Sequence, residues 1–181
     1  DLTHLRLGVG GASCPEDLRS RYRERFGRDF TTGYGLSEAP AAVAQETEQI
    51  VDVRGGSGQA MPHVEFMIAD EDGTSLPVGT QGEICIGAAR SGRWAGQFSG
   101  MIGYWSDPAA TSASRWGRYL RSGDIGMIDA QGNLLVSDRR QDMINRGGSN
   151  FSPAEVARVL LDHPDVRTCH VLGLPDPRLG H

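Results

Sequence analysis

The spacing of apolar residues along this chain changes period twice, and each change marks a different kind of structure. Leu2, Leu5 and Leu7 lead into Gly8-Val9-Gly10-Gly11 and predict a short strand that ends in a glycine-rich turn. Leu18, Tyr22 and Phe26 then recur at i, i+4 and i+8, one face of a helix, with Ser13-x-x-Glu16 as a capping box ahead of them. Gly27 ends that helix, and a second extended run over 29–32 enters Gly33-Tyr34-Gly35. Strand, helix, strand is the order of an α/β sheet.

Past residue 55 the period shortens to that of strands. Extended runs are predicted at 64–68, 83–86, 119–120, 125–128 and 133–136. Asp72-Gly73, Pro77-Val78-Gly79 and Asp129-Ala130-Gln131-Gly132 supply the turns between them. Short strands and frequent turns predict a small barrel or meander. A helical period returns after Arg140. Ser152-Pro153-Ala154-Glu155 is a helix start, with a Ser cap, Pro in the first turn and Glu closing the box. Val156, Val159 and Leu160 give that helix its apolar face, Pro164 stops it, and residues 168–174 read as a strand without a partner in the block. About 40 residues bury too little surface to close a core, so this block is expected to be the start of a truncated domain. The pattern divides the chain into 1–54, 55–138, a joint at 139–148, and 149–181.

Composition narrows the chemistry. The chain has 181 residues, 38% hydrophobic and 23% charged, and a net charge of -5. An acidic balance argues against nucleic acid, which requires a basic face. No apolar run approaches the roughly 20 residues of a membrane helix, and no charged-then-apolar leader is visible. Cys14, Cys85 and Cys169 lie far apart with no metal-ligand spacing, which fits a reducing compartment and predicts a cytoplasmic protein. The chain opens on Asp1 and stops at His181 just after an apolar run, so both ends are expected to be internal to a longer protein. All 18 Lys+Arg residues are arginine. A Walker phosphate loop and a Schiff-base nucleophile both require lysine, so neither resides here.

Four runs carry candidate chemistry. In Gly33-Tyr34-Gly35-Leu36-Ser37-Glu38, a tyrosine between glycines offers a ring face to a purine, Ser37 a hydroxyl to a phosphate, and Glu38 a hard carboxylate oxygen to Mg²⁺ held jointly with phosphates. Read alone, the run fits better a glycine-flanked turn whose Tyr covers a core. In Arg121-Ser122-Gly123-Asp124, the carboxylate can accept two ribose hydroxyls, or simply serve a turn. The third run, residues 137–155, is polar and glycine-rich, with arginines at both ends; its Arg139 offers a planar fork for ribose or phosphate oxygens. Gly10-Gly11-Ala12, the fourth, lets backbone approach a ring closely.

Taken in order, these runs resemble the adenylate-forming (AMP-binding) enzymes, and the acyl- and aryl-CoA synthetase branch in particular. The resemblance extends to Gly103-Tyr104-Trp105 with Asp107-Pro108 and Ala110-Thr111, similar to the Gly-Tyr-Trp-x-x-Pro-x-x-Thr run of CoA synthetases. Ser37 and Ser122 stand where the family usually has Thr. The resemblance implies an α/β fold with a β-rich, barrel-like subdomain: the C-terminal part of the large nucleotide-binding domain, then the start of a small α+β domain. It implies a nucleotide site of Gly10, Gly11, Ala12, Tyr34, Gly35, Ser37, Asp124 and Arg139, with Ser37 and Glu38 catalytic and Glu38 holding Mg²⁺. Gln141 falls at the hinge position, where the family commonly has Asp or Lys. Arg146, Gly147 and Gly148 resemble the loop that swings in for thioester formation. Val9, Leu36, Ala39 and Pro40 border the implied acyl pocket, small or apolar, which fits an aliphatic or aryl acid.

The implied reaction joins a carboxylic acid to ATP, giving acyl-AMP and pyrophosphate, and then passes the acyl group to CoA. The implied partners are small molecules alone: the acid, ATP and CoA. The Ser/Thr/Gly-rich phosphate loop and the catalytic lysine of the family have no match in this chain, so the piece by itself is expected to be inactive. Two alternatives stay open: an adenylation domain that loads a carrier protein, and a non-catalytic relative that senses AMP.

Overall fold

The computed structural model describes residues 8–10, 16–27, 31–46, 56–147 and 149–176. It contains strands β1 (Gly8–Gly10), β2 (Thr31–Leu36), β3 (Ala39–Gln45), β4 (Gly56–Ala60), β5 (Val64–Ala69), β6 (Gly82–Ala88), β7 (Arg115–Trp116), β8 (Tyr119–Ile128), β9 (Asn133–Arg139), β10 (Ile144–Arg146) and β11 (Ser149–Phe151). Helices are α1 (Glu16–Phe26), α2 (Pro108–Ala113) and α3 (Pro153–Leu161), with a 3-10 turn at Arg140–Asp142. Among the described residues one sheet runs in the order β1-β2-β3-β4-β9-β8-β6-β5, with β7 added to β8, and β10-β11 form a separate hairpin. β1 and β2 are parallel, as strand–helix–strand requires, and the remaining pairs are antiparallel. The parallel and antiparallel parts meet at β2, and β9 lies beyond β3 and β4 in the same sheet.

The core sits on the antiparallel strands. Val43, Val64, Ile68, Ile84, Ile86, Leu120 and Leu134 are buried there, with Phe98 packed against them from the 87–100 loop. Continuous burial along β6, from Glu83 through Gly87, explains its unalternating apolar sequence, Ile-Cys-Ile. β4 crosses close to the end of β3: at Gly58, φ is +80°, and a Cβ would stand 2.0 Å from the Gln45 carbonyl carbon. Only glycine serves there.

Several sequence expectations are corrected by the structure. Gly33-Tyr34-Gly35 is the middle of β2, not a turn; the turn is Ser37-Glu38, and β3, unanticipated, pairs back from it. The stretch Ala39 to Gln45 is rich in alanine, a poor strand signal, and is held extended by neighbours on both sides. The predicted apolar face of α1 does not form the interface, since Leu18 and Phe26 are about half exposed. Arg19 is buried instead, ion-paired to Glu46. The runs at 119–120 and 125–128 are one strand, β8, with Gly123 in the left-handed region (φ 75°) between them. Residues 168–174 form no strand, because no strand edge is paired with them. The Ser152 cap is as expected, its Oγ accepting from Glu155 N at 3.2 Å. The Ser13 half of the first capping box lies outside the described residues.

Two buried acids predict how stability responds to alkali. Cys85 is fully buried beside Glu83, and burial first, then that carboxylate, pushes its thiol up to about 12. The Tyr34 phenol is raised too, chiefly by burial and next by its hydrogen bond to the Asp124 carboxylate. In the unfolded chain these groups titrate near about 8.5 and 10. Each folded pKa lies above its unfolded value, so the contribution is whole below the unfolded pKa and fades as pH rises toward the folded one. The urea midpoint is expected to hold up to about pH 8.5 and then fall toward pH 12. Cys85→Ala should delay the onset to about pH 10, where Tyr34 begins to contribute.

Candidate functional site

β2, β8 and β9 bring three predicted residues together. The Tyr34 hydroxyl donates to Asp124 Oδ2 at 2.6 Å. Asp124 faces Arg139 across the β8–β9 ladder, and Arg139 Nε stands 3.6 Å from Asp124 Oδ1. The bulge between Ile125 and Gly126, with Gly123 in the left-handed region just before, sets the local twist that aims Asp124. The Tyr34 ring is 8% exposed and packs in the core, so the bland reading of this residue holds for its ring while its hydroxyl reaches the candidate site. The Asp124 carboxylate is mostly buried and the Arg139 guanidinium mostly exposed, a fixed acceptor beside a solvent-facing fork.

Ser37 and Glu38 occupy the turn at the far end of β2, Ser37 exposed and Glu38 half-buried. Glu38 Oε1 accepts the Tyr104 hydroxyl at 3.0 Å, and Glu38 O accepts Met101 N at 2.7 Å. Among the described residues no group of three or more His, Cys, Asp or Glu could hold a metal ion. A lone carboxylate suits Mg²⁺ only where phosphates supply further ligands, which is how that ion is usually held. Leu36 is half-buried against the core, Ala39 is fully buried and Pro40 is exposed. Gly35 lies exposed in β2, and Val9 and Gly10 lie in β1 beside Thr32 and Gly33. Gly11, Ala12 and Gly148 lie outside the described residues.

The joint is built around two carboxylates that sequence reading did not single out. Glu83, 4% exposed, accepts Arg121 Nη2 at 2.7 Å and Arg140 Nη1 at 2.8 Å. Arg140 immediately precedes Gln141, so the large sheet grips the chain one residue ahead of the proposed pivot. Asp138 Oδ2 accepts Ser152 Oγ at 2.8 Å and Ala154 N at 3.2 Å, tying β9 to the start of α3. A carboxylate at a helix N-terminus is favoured by the dipole as well. Gln141 is exposed in the 3-10 turn, Arg146 is exposed in β10, and Gly147 turns the hairpin with φ 61°. A cavity of about 550 Å³ lies between the joint and the last segment, lined by Gln141, Asp142, Met143 and residues 169–173. The signals for these ties were present in outline: Glu83 is an acid inside an apolar strand, a position that demands a partner.

The chain is similar in sequence and fold to known proteins. The family described as AMP-binding enzyme matches residues 1–105. Feruloyl-CoA synthase of Amycolatopsis sp. is 37% identical over 99% of this chain and 35% of its own. Among solved structures, amide bond synthetase McbA of Marinactinospora thermotolerans superposes with a TM-score of 0.79 at 36% identity, over 97% of this chain and 34% of its own. The o-succinylbenzoate CoA synthetase MenE of Bacillus subtilis, in complex with the acyl-adenylate OSB-AMP, does so with 0.78 at 32%, over 96% and 34%. The chain spans about a third of the length of the relatives it matches.

Proposed function

The chain belongs to the AMP-binding enzyme family, and from that premise we propose that it is part of an ATP-dependent carboxylic acid:CoA ligase. The observation that carries the reading is the Tyr34–Asp124–Arg139 cluster, whose Tyr34 lies on the strand that runs into the Ser37-Glu38 turn. Asp124 Oδ2 accepts the Tyr34 hydroxyl, which leaves Oδ1 and the remaining lone pairs to accept ribose hydroxyls. Arg139 lies beside Oδ1 and holds the same sugar from the solvent side. The small patch of Tyr34 left exposed, with Gly10, Gly11, Ala12 and Gly35, would border the adenine. Ser37 would donate its hydroxyl to the α-phosphate. Glu38 would hold Mg²⁺ together with the phosphates, and the ion when bound neutralises charge at phosphorus. Val9, Leu36, Ala39 and Pro40 would border the acid.

In this reading residues 1–138 belong to the large domain, 139–148 are the hinge and 149–181 begin the small domain. Rotation at Gln141 would bring Arg146, Gly147 and Gly148 toward the acyl-adenylate for the CoA step. The likeness to an amide bond synthetase supports a second reading of that step, with an amine in place of CoA as acceptor. The test is to express the complete open reading frame and to measure pyrophosphate release over a panel of aryl and aliphatic acids, then thioester with CoA and amide with amines. Acid-dependent pyrophosphate release followed by thioester is expected. Amide without thioester would select the second reading, and no acid-dependent release would end both. The 181-residue piece alone is expected to release none.

A further inference from the structure

The Gly103-Tyr104-Trp105 run has no part in the chemistry assigned so far, yet it is folded with care. The chain makes a tight turn over Tyr104 to Asp107, in which Ser106 takes the left-handed region at φ 55°, uncommon for a residue with a side chain. Asp107 Oδ1 caps α2 through Ala110 N at 2.8 Å. Thr111, one turn further on, reaches back: its Oγ1 donates to Asp107 O at 2.8 Å and accepts Tyr104 N at 2.9 Å. The space its side chain fills is the space a Cβ on residue 103 would need, since that atom would stand 2.8 Å from Thr111 Cγ2. Glycine at 103, threonine at 111 and the capped turn therefore serve one end, the fixed placement of Tyr104. Its neighbour Trp105 is 96% exposed.

From that anchored position the Tyr104 hydroxyl donates to Glu38 Oε1 at 3.0 Å, while Met101 N, three residues earlier, holds Glu38 O at 2.7 Å. Glu38 is gripped at backbone and side chain by the same segment. We infer that Tyr104 is a positioning residue for Glu38: it occupies one carboxylate oxygen, fixes the rotamer, and leaves Oε2 presented toward the metal and phosphates. The inference rests on the assignment of Glu38 to Mg²⁺ made above. Donors behind a metal-binding carboxylate orient it and tune its affinity.

The test uses Mn²⁺ as the probe, in the complete enzyme with a non-hydrolysable ATP analogue, and reads free Mn²⁺ by electron paramagnetic resonance. Tyr104→Phe is expected to weaken Mn²⁺ binding about 10-fold. The Mg²⁺ concentration for half-maximal pyrophosphate release should rise in parallel, while the KM for the acid stays put. Thr111→Val, which keeps the phenol and frees its anchor, should move Mn²⁺ affinity in the same direction by less. Unchanged affinity in Tyr104→Phe, with Glu38→Gln still abolishing Mn²⁺ binding, would overturn the positioning role and leave the Glu38 assignment standing. Unchanged affinity in Glu38→Gln would overturn both.

Discussion

Replacing Glu46 with alanine is expected to cost the fold about 3–5 kcal/mol, the range for breaking one side of a buried ion pair. Glu46 is 1% exposed, just past β3. Both its oxygens accept Arg19 Nη2, at 3.0 and 2.9 Å, and Oε2 also accepts Thr32 N at 2.7 Å. Thr32 Oγ1 takes a further bond from Arg19 and donates to Gly56 O. One carboxylate thus ties α1, β2 and the start of β4 together. Alanine would leave a guanidinium in a low-dielectric site and a backbone N–H without its acceptor. A domain of this kind is stable by about 5–15 kcal/mol in total, so a large share would go. Glu46→Gln keeps an oxygen for Thr32 N and should lose less. The double replacement Arg19→Met with Glu46→Leu should recover much of the loss, because it removes both charges at once. Urea denaturation of the three variants checks this; a Glu46→Ala loss under about 1 kcal/mol would place the pair among weak surface bridges.

Local signals made some of this legible beforehand, and tertiary partners decided the rest. The helix start at Ser152 could be read because cap, proline and box are neighbours in sequence. The strands at 64–68 and 83–86 were visible because each is mainly apolar and bounded by turn residues. β3 was hidden, since alanine carries no strand preference and its extension depends on β2 and β4 on either side. The inward face of α1 was misread for a related reason: Arg19 is buried only because Glu46, distant in sequence, meets it. Tyr34, Glu38, Asp124 and Arg139 were picked out as candidates by local motif, and the structure brings the first, third and fourth together. Their supports were not, because Tyr104 to Glu38 and Arg140 to Glu83 span long stretches of chain. The separation has consequences for the joint. Arg140 is held to the large sheet by Glu83, while Asp138 holds the cap of α3 on the far side of Gln141. If the chain pivots at Gln141 as proposed, rotation would leave the first tie intact and strain or release the second.

Asp124→Ala in the complete enzyme is expected to lower kcat/KM for ATP by about 100-fold or more, from two lost hydrogen bonds to a charged acceptor at about 1.5–3 kcal/mol each. The loss has more than one source. The ribose would lose its acceptor, the nearly buried Tyr34 hydroxyl would lose its carboxylate partner, and Arg139 would lose the charge beside it. Comparison variants separate these. Tyr34→Phe keeps the carboxylate and removes only its donor, so about a 10-fold loss is expected, the size of one hydrogen bond to a charged group. Asp124→Asn keeps the shape and one acceptor oxygen, and should fall between the two. AMP affinity by calorimetry should follow the same order, because the proposed ribose contact would form before any chemistry. Thermal midpoints provide the control: the Tyr34–Asp124 bond joins β2 to β8, so some stability goes in every variant, but a structural loss alone would not grade with AMP affinity. AMP affinity unchanged in Asp124→Ala, with a lowered midpoint, would make Asp124 a strand-joining residue and remove the ribose from its role.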